Sequence, residues 1–255
     1  MSIIYIDPYQ FAAAAAPWTP ANITTALWLD AADASTITES GGAVSQWDDK
    51  SGNDRHASQG LVAQQPVYTE NGINGNPSLT FANTAKTLLM PSSVFTINPK
   101  VFTVLQSTTS SQAQVILRIQ GSIKEFFFTF NQTSTNQVYF ARRGLEQRPV
   151  THTVTNASIY FADLFSTSVG DYYINGTLAT KQNSLGNAGG SSNANVIGAD
   201  SGNANRFQGD LAECIVLSSI DTDTRQKIEG YLAHKWGLTA NLPVSHPYKS
   251  AAPTV

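Results

Sequence analysis

From Ile23 onward the chain is a series of short strand-like segments separated by Gly, Asn, Ser and Pro clusters, and that repetition constrains the fold most. "TALWLDA", "AVSQW", "QPVYT", "PSLTF" and "KTLLM" follow one another, while "KVFTVLQST" and "AQVILRIQ" alternate their side chains with period two. "KEFFFTFNQ", "QVYFARR", "SIYFADLFSTS", "ANVIGAD" and "GDLAECIVLSS" continue the series. In "DYYINGTLATKQ" the pair Asn175-Gly176 sits between strand-like flanks, as a two-residue type I′ hairpin requires. About a dozen such segments and almost no helix predict an all-β chain built as an antiparallel two-sheet sandwich. No fixed-period repeat is present, which excludes solenoids and propellers. At 255 residues the chain can bury the core of one such sandwich without staples.

One segment near the end has a different period. Asp221 can cap a helix, and Ile228, Tyr231, Leu232 and Trp236 then fall on one face, with Gly237 placed as a left-handed stop. The spacing predicts a helix over residues 221–236 that closes over a sheet face or an open end of the sandwich. Gly230, in its middle, predicts close backbone approach by another segment. At the other end, "IDPYQFAAAAAPWTP" allows a short helix that Pro17 stops and that displays Tyr9, Phe11 and Trp18. Residues 1–22 are therefore read as an anchoring arm that binds a partner through those three aromatics, and residues 23–255 as the sandwich domain.

Composition narrows the function. Charged residues are 13% of the chain, about half the usual quarter, and the net charge is -3. No basic stripe suited to nucleic acid is present; Arg142, Arg143 and Arg148 form the one compact basic group and read as a solvated hairpin. No segment approaches the ~20 apolar residues of a membrane span, and "MSIIYIDPYQF" lacks the basic start and apolar run of a secretion signal. Synthesis in a cytoplasm is the expectation. Cys214, the single cysteine, lies in the apolar run "LAECIVL" and reads as a small buried hydrophobe.

The chain is expected not to be an enzyme. Glycosidases of sandwich architecture place two carboxylates on one face of a strand; here Asp210 and Glu213 stand three apart, which assigns them to opposite faces. His56, His152, His234 and His246 follow no metal or nucleophile spacing. In "WDDKSGNDRH", Asp48, Asp49, Asn53 and Asp54 could offer hard oxygen ligands to Ca²⁺. The competing reading is that they close Asx-turns around Gly52 over a buried Trp47, and the spacing favours the turns. No other cofactor is expected.

The stretch "RFQGDLAECIVLSSIDTDTRQKIEGYLAHKWGLTANLPVSHPYKSAAP" resembles the C-terminal signature of laminin-G-like, concanavalin A-like jelly-roll domains of bacteriophage structural proteins and bacterial surface proteins. "LWLDAADASTIT", "VSQWDDKSGNDRHASQ", "PVYTENGINGNPSLTF" and "YYINGTLAT" extend the resemblance over roughly residues 23–251. It implies a concanavalin A-like jelly roll in a phage virion protein, assembled inside the host and then exposed. A capsid decoration protein held by its N-terminal arm to a major capsid or tail protein is the first expectation. A tail-fibre or tail-tip adhesin that recognises host surface glycans is the alternative. In either case a homo-oligomer is expected.

Overall fold

The computed structural model describes residues 15–82, 85–94, 99–120, 125–130, 135–142, 149–163, 170–182, 195–199 and 205–255. Its strands begin with β1 (Leu27–Asp30), β2 (Ile37–Ser40), β3 (Ala43–Trp47), β4 (Ala57–Ser58), β5 (Val67–Thr69), β6 (Ser78–Phe81), β7 (Leu88–Met90) and β8 (Lys100–Ser107). They continue with β9 (Gln114–Gln120), β10 (Glu125–Phe130), β11 (Gln137–Arg142), β12 (Val150–Thr151), β13 (Ser158–Asp163) and β14 (Gly170–Ile174). Last come β15 (Thr177–Gln182), β16 (Asn195–Ile197), β17 (Gly209–Leu217) and the helix α1 (Thr222–Lys235).

All pairings between these strands are antiparallel, and they form two layers. In one layer β1 and β6 lie end to end against β17, followed by β8, β13, β14 and β15. The other runs β2, β3, β4, β7, β16, β9, β10, β11, β12. β6 also pairs with β5, and this links the layers. The expected all-β sandwich is what forms. Period two sends Leu27, Leu29, Leu105, Tyr160 and Tyr172 inward against Trp47, Leu88, Ile119, Phe128 and Phe130 of the opposite layer. Asn175 and Gly176 both take the left-handed conformation that the tight turn between β14 and β15 needs (φ 51° and 74°).

The outer face of the β17 layer carries a second apolar cluster, and α1 covers it. Ile228, Leu232 and Trp236 pack there, all with no exposure, against Trp28, Phe102, Val104, Ile159, Phe161 and Ile215, with Tyr231 partly buried beside them. Asp221 caps the helix through Thr224 N at 2.7 Å. Gly237 ends it at φ +66°, and Leu238 N donates back to Ala233 O at 2.7 Å. The structure is thus three layers deep, sheet on sheet on helix.

One expectation is met, the close approach at Gly230, and two need correction. The helix is buried on a second flank as well, because the C-terminal tail folds over it: Glu229 has no exposure, and His234 Nε2 meets Tyr248 O at 2.9 Å. A methyl group at Gly230 would collide with Cβ of Tyr248. Gly230→Ala is therefore expected to lose about 1–3 kcal/mol by overpacking, although alanine is the better helix former by up to about 1 kcal/mol. Urea denaturation measures the sign. First, Trp18 is not displayed to a partner. It is 6% exposed, its ring meets Tyr231 edge-on at 6.3 Å, and its N–H donates to Pro253 O, so the domain begins before residue 23. Tyr9 and Phe11 lie outside the described residues. Second, β17 carries a bulge between Leu211 and Glu213, which breaks the period and turns Glu213 to the helix face, the same side as Asp210.

Candidate functional site

Much of what looks chemical in the sequence serves the closure of the fold. Glu213 has no exposure and accepts from Trp28 Nε1 (2.7 Å), Trp236 Nε1 (2.7 Å), Tyr231 Oη (3.1 Å) and Lys235 Nζ (2.8 Å). Asp30 stands directly opposite it on β1, and Lys235 bridges the two carboxylates. Lys50 joins Asp30 (2.9 Å) to Asp33 (2.8 Å) and lies 4.4 Å above the Trp28 ring. Burial raises the Glu213 carboxyl above the ordinary carboxylate range; Lys235 opposes that shift and Asp30 adds to it. Asp210 accepts from Thr80 and Ser78. Asp210 and Glu213 share a face but cannot work on a substrate together, because Glu213 is sealed.

The acidic loop is built as turns. Asp49 accepts from Trp28 N and Ser51 N (2.9 Å each) with one oxygen, and from Ser51 Oγ (2.6 Å) and Arg55 N (3.2 Å) with the other. Asp48 accepts from Gln46 Nε2 at 2.7 Å, and Asn53 donates to Thr25 O at 2.9 Å. Asp54 takes φ 55° next to the turn at Gly52 (φ 81°). Among the described residues no three of His, Cys, Asp and Glu gather as a metal ion requires. Asp49→Ala would strand the buried Trp28 N–H and is expected to lose roughly 1–3 kcal/mol. Melting in EDTA and in excess Ca²⁺ should coincide; a Ca²⁺-dependent rise would restore the ligand role of Asp48, Asp49, Asn53 and Asp54.

Cys214 is buried at 1% exposure, and burial together with the Glu213 charge pushes its thiol up to about 12. His56 accepts from Asp49 N, His152 meets Ser158 Oγ, and His246 meets Glu229. No helix among the described residues is long and apolar enough to cross a membrane.

An open polar cleft of about 160 Å³ lies where the start of α1 crosses β13 and β14. Alternation places Asp163 and Phe161 of β13, and Asp171 and Tyr173 of β14, on this outer face. Phe161 pairs with Tyr173 in the ladder, and the same register carried two residues further sets Asp163 opposite Asp171. Arg225 comes down from α1 with its guanidinium 3.9 Å from the centre of the Tyr173 ring. Both Glu229 oxygens hold its Nη1 (2.6 and 2.7 Å), and its other N–H groups have no partner among the described residues. Asp171 stands opposite Lys181 of β15 in the β14–β15 ladder. Asp163 is 8% exposed and pairs with Lys100 Nζ at 2.6 Å. Burial raises its carboxyl to about 6, with Lys100 pulling down and Asp171 pushing up.

An arginine with free donors, two carboxylates and a half-buried tyrosine in one cleft can accept from and donate to a polyhydroxylated ring. The sequence reading missed this site because it looked for paired acids on one strand. The available signal was the likeness of "SIYFAD" to a reversed "DYYI": paired as antiparallel neighbours, they bring aromatic to aromatic and Asp to Asp.

No family model and no curated protein matches this sequence. Solved structures do match its fold. Domain 4 of AbnA, a GH43 extracellular arabinanase from Geobacillus stearothermophilus, in complex with arabinotriose, superposes with a TM-score of 0.54 at 9% identity, over 76% of this chain and 91% of that one. The binding domain of botulinum neurotoxin serotype G gives 0.55 at 11% identity, over 85% of this chain and 51% of the toxin domain. Trypanosoma rangeli sialidase with 2,3-difluorosialic acid gives 0.53 at 12% identity, over 88% of this chain but 37% of the enzyme. The likeness shared with all three is one of fold, an antiparallel β-sandwich.

Proposed function

We propose that this chain is a non-catalytic glycan-binding sandwich module, a receptor-binding adhesin rather than a capsid decoration protein. The cleft carries the reading: Arg225 and the carboxylates of Asp163 and Asp171 line it beside Tyr173, in a space suited to one sugar ring. Two of the fold neighbours support it, one captured with arabinotriose and the other named a binding domain. The arm loses weight as an anchor, since Trp18 belongs to the domain's own core. The setting we propose is a virion surface, with the module in a homo-oligomer, which light scattering of the purified chain tests.

Binding is favoured over hydrolysis because Asp163 is held by Lys100 and only 11% of its side chain is exposed, which leaves no mobile acid to protonate a leaving group. A glycan array with the purified chain tests the proposal. One glycan class should bind reproducibly, and Tyr173→Ala should weaken it about tenfold through loss of the aromatic platform. Absence of binding to every glycan would refute the proposal, and release of reducing sugar from a polysaccharide would show an enzyme instead.

A further inference from the structure

The cleft does not end at the start of α1. A second hollow, of about 450 Å³, adjoins it; Ile23, Thr24, Leu217 and Ser219 line this hollow, and Ile220 and Asp221 form a wall common to both. The strand register sets how far apart the two lie. Leu217 of β17 stands opposite Lys100 of β8, and Lys100 stands opposite Asp163 of β13. Leu217 belongs to the hollow and Asp163 to the cleft, both on the outer face of the layer. The two floors are therefore two strands apart, roughly 10 Å. Lys100 fills the row between them at 3% exposure, held by Asp163.

We infer that this surface takes a run of linked sugar rings and not a single terminal one; this rests on the glycan-binding reading above. One ring sits in the cleft beside Tyr173, and the chain crosses the wall at Ile220 and Asp221 to lay a further ring in the hollow. The chemistry of the hollow suits that occupant. Ile23, Leu217 and Ile220 give it an apolar floor, and the exposed Thr24 and Ser219 bring hydroxyl groups to its rim. A sugar ring has the matching form, with C–H groups on its face and hydroxyls around its edge. Asp221 is the one charged group among the residues that line the hollow, and one of its oxygens accepts from Thr224 N. An uncharged ring therefore fits there better than an acidic one. Continuity with the cleft makes the occupant a part of the same ligand: the shared wall leaves both hollows open along one path, and the separation of the floors is more than one ring covers.

An array that carries each glycan class as fragments of one, two, three and four rings can test this on the full chain, with amide NMR titrations of the series that binds. Affinity should rise about tenfold between one ring and three, the scale expected for burying one more ring face. The single ring should shift amides of β13, β14 and the first turn of α1, and the three-ring fragment should add those of Thr24, Ser218 and Ser219. Thr24→Trp and Ser219→Trp, at two exposed positions, each plug the hollow. Either should remove the tenfold gain while leaving single-ring affinity and the circular dichroism spectrum unchanged. Equal affinity for one ring and three, or a gain that survives both plugs, would overturn the inference and leave the glycan-binding reading standing. Three-ring shifts that never reach Thr24 and Ser219 would overturn it as well. If no fragment of any class binds, both readings fall together.

Discussion

Lys235→Met is expected to destabilise the fold by about 3–5 kcal/mol, which would take many domains of this size to the edge of unfolding. The reason is the company that Lys235 keeps. Its Nζ is the cation between Asp30 and Glu213, two carboxylates in direct cross-strand opposition, at 4% and 0% exposure. Methionine fills much the same volume but leaves Glu213 buried without a cation, while Asp30 keeps Lys50. Trp28, Tyr231 and Trp236 would still donate to Glu213, yet neutral donors do not cancel its charge. The pH dependence has a definite sign. Glu213 titrates above its unfolded value because burial favours the protonated form, so its contribution to stability is present at low pH and lost as pH rises through the folded pKa. Removing Lys235 raises that pKa further. The variant's deficit should therefore be larger at pH 8 than at pH 5, by urea denaturation. An equal deficit at both values would place the loss in packing instead of charge.

The same residues show how far the sequence could be read. Period two and the Asn175-Gly176 turn were sufficient for the sandwich, since both act between near neighbours. The helix ends were legible for the same reason: Asp221 and Gly237 satisfy backbone groups within one turn. What stayed hidden was made by distant segments. The bulge after Leu211 reverses the facing of Glu213, and an alternation argument that assumes unbroken pairing assigns it to the wrong side. Glu229 looks exposed on a helical wheel, and only the returning tail with His246 buries it, although the close approach that Gly230 implied is there and is made by Tyr248. The quoted motifs "LWLDAAD", "IEGYLAHKWG" and "HPY" looked like marks of a function, and they are largely marks of one another. Trp28 and Asp30 from the first join Lys235 and Trp236 from the second around Glu213, and Glu229 meets the histidine of the third. The cleft was not legible because its two aspartates come from different strands, and only the β13–β14 register sets them opposite.

Glu229→Gln should expose the link between this closure and the cleft. Glu229 is fully buried, accepts from Arg225 through both oxygens, and meets His246 Nε2 at 3.1 Å. The amide keeps its shape and removes its charge, which leaves the Arg225 guanidinium uncompensated at 8% exposure; about 3 kcal/mol of stability should be lost. Replacing both partners by apolar residues, as in Arg225→Met with Glu229→Leu, should recover most of that loss, because no buried charge then remains. The single variant should also change what the cleft prefers. With its counter-ion gone, Arg225 brings one full positive charge to the side of Tyr173, only 3.9 Å from the ring centre. Affinity for acidic sugars should rise relative to neutral ones, whereas the double variant, lacking the guanidinium, should bind neither well. If Glu229→Gln unfolds more easily but keeps its ligand preference, Glu229 holds the helix and tail together without setting the charge of the cleft. If stability and preference move together, one buried carboxylate both closes the sandwich and balances the charge of its arginine.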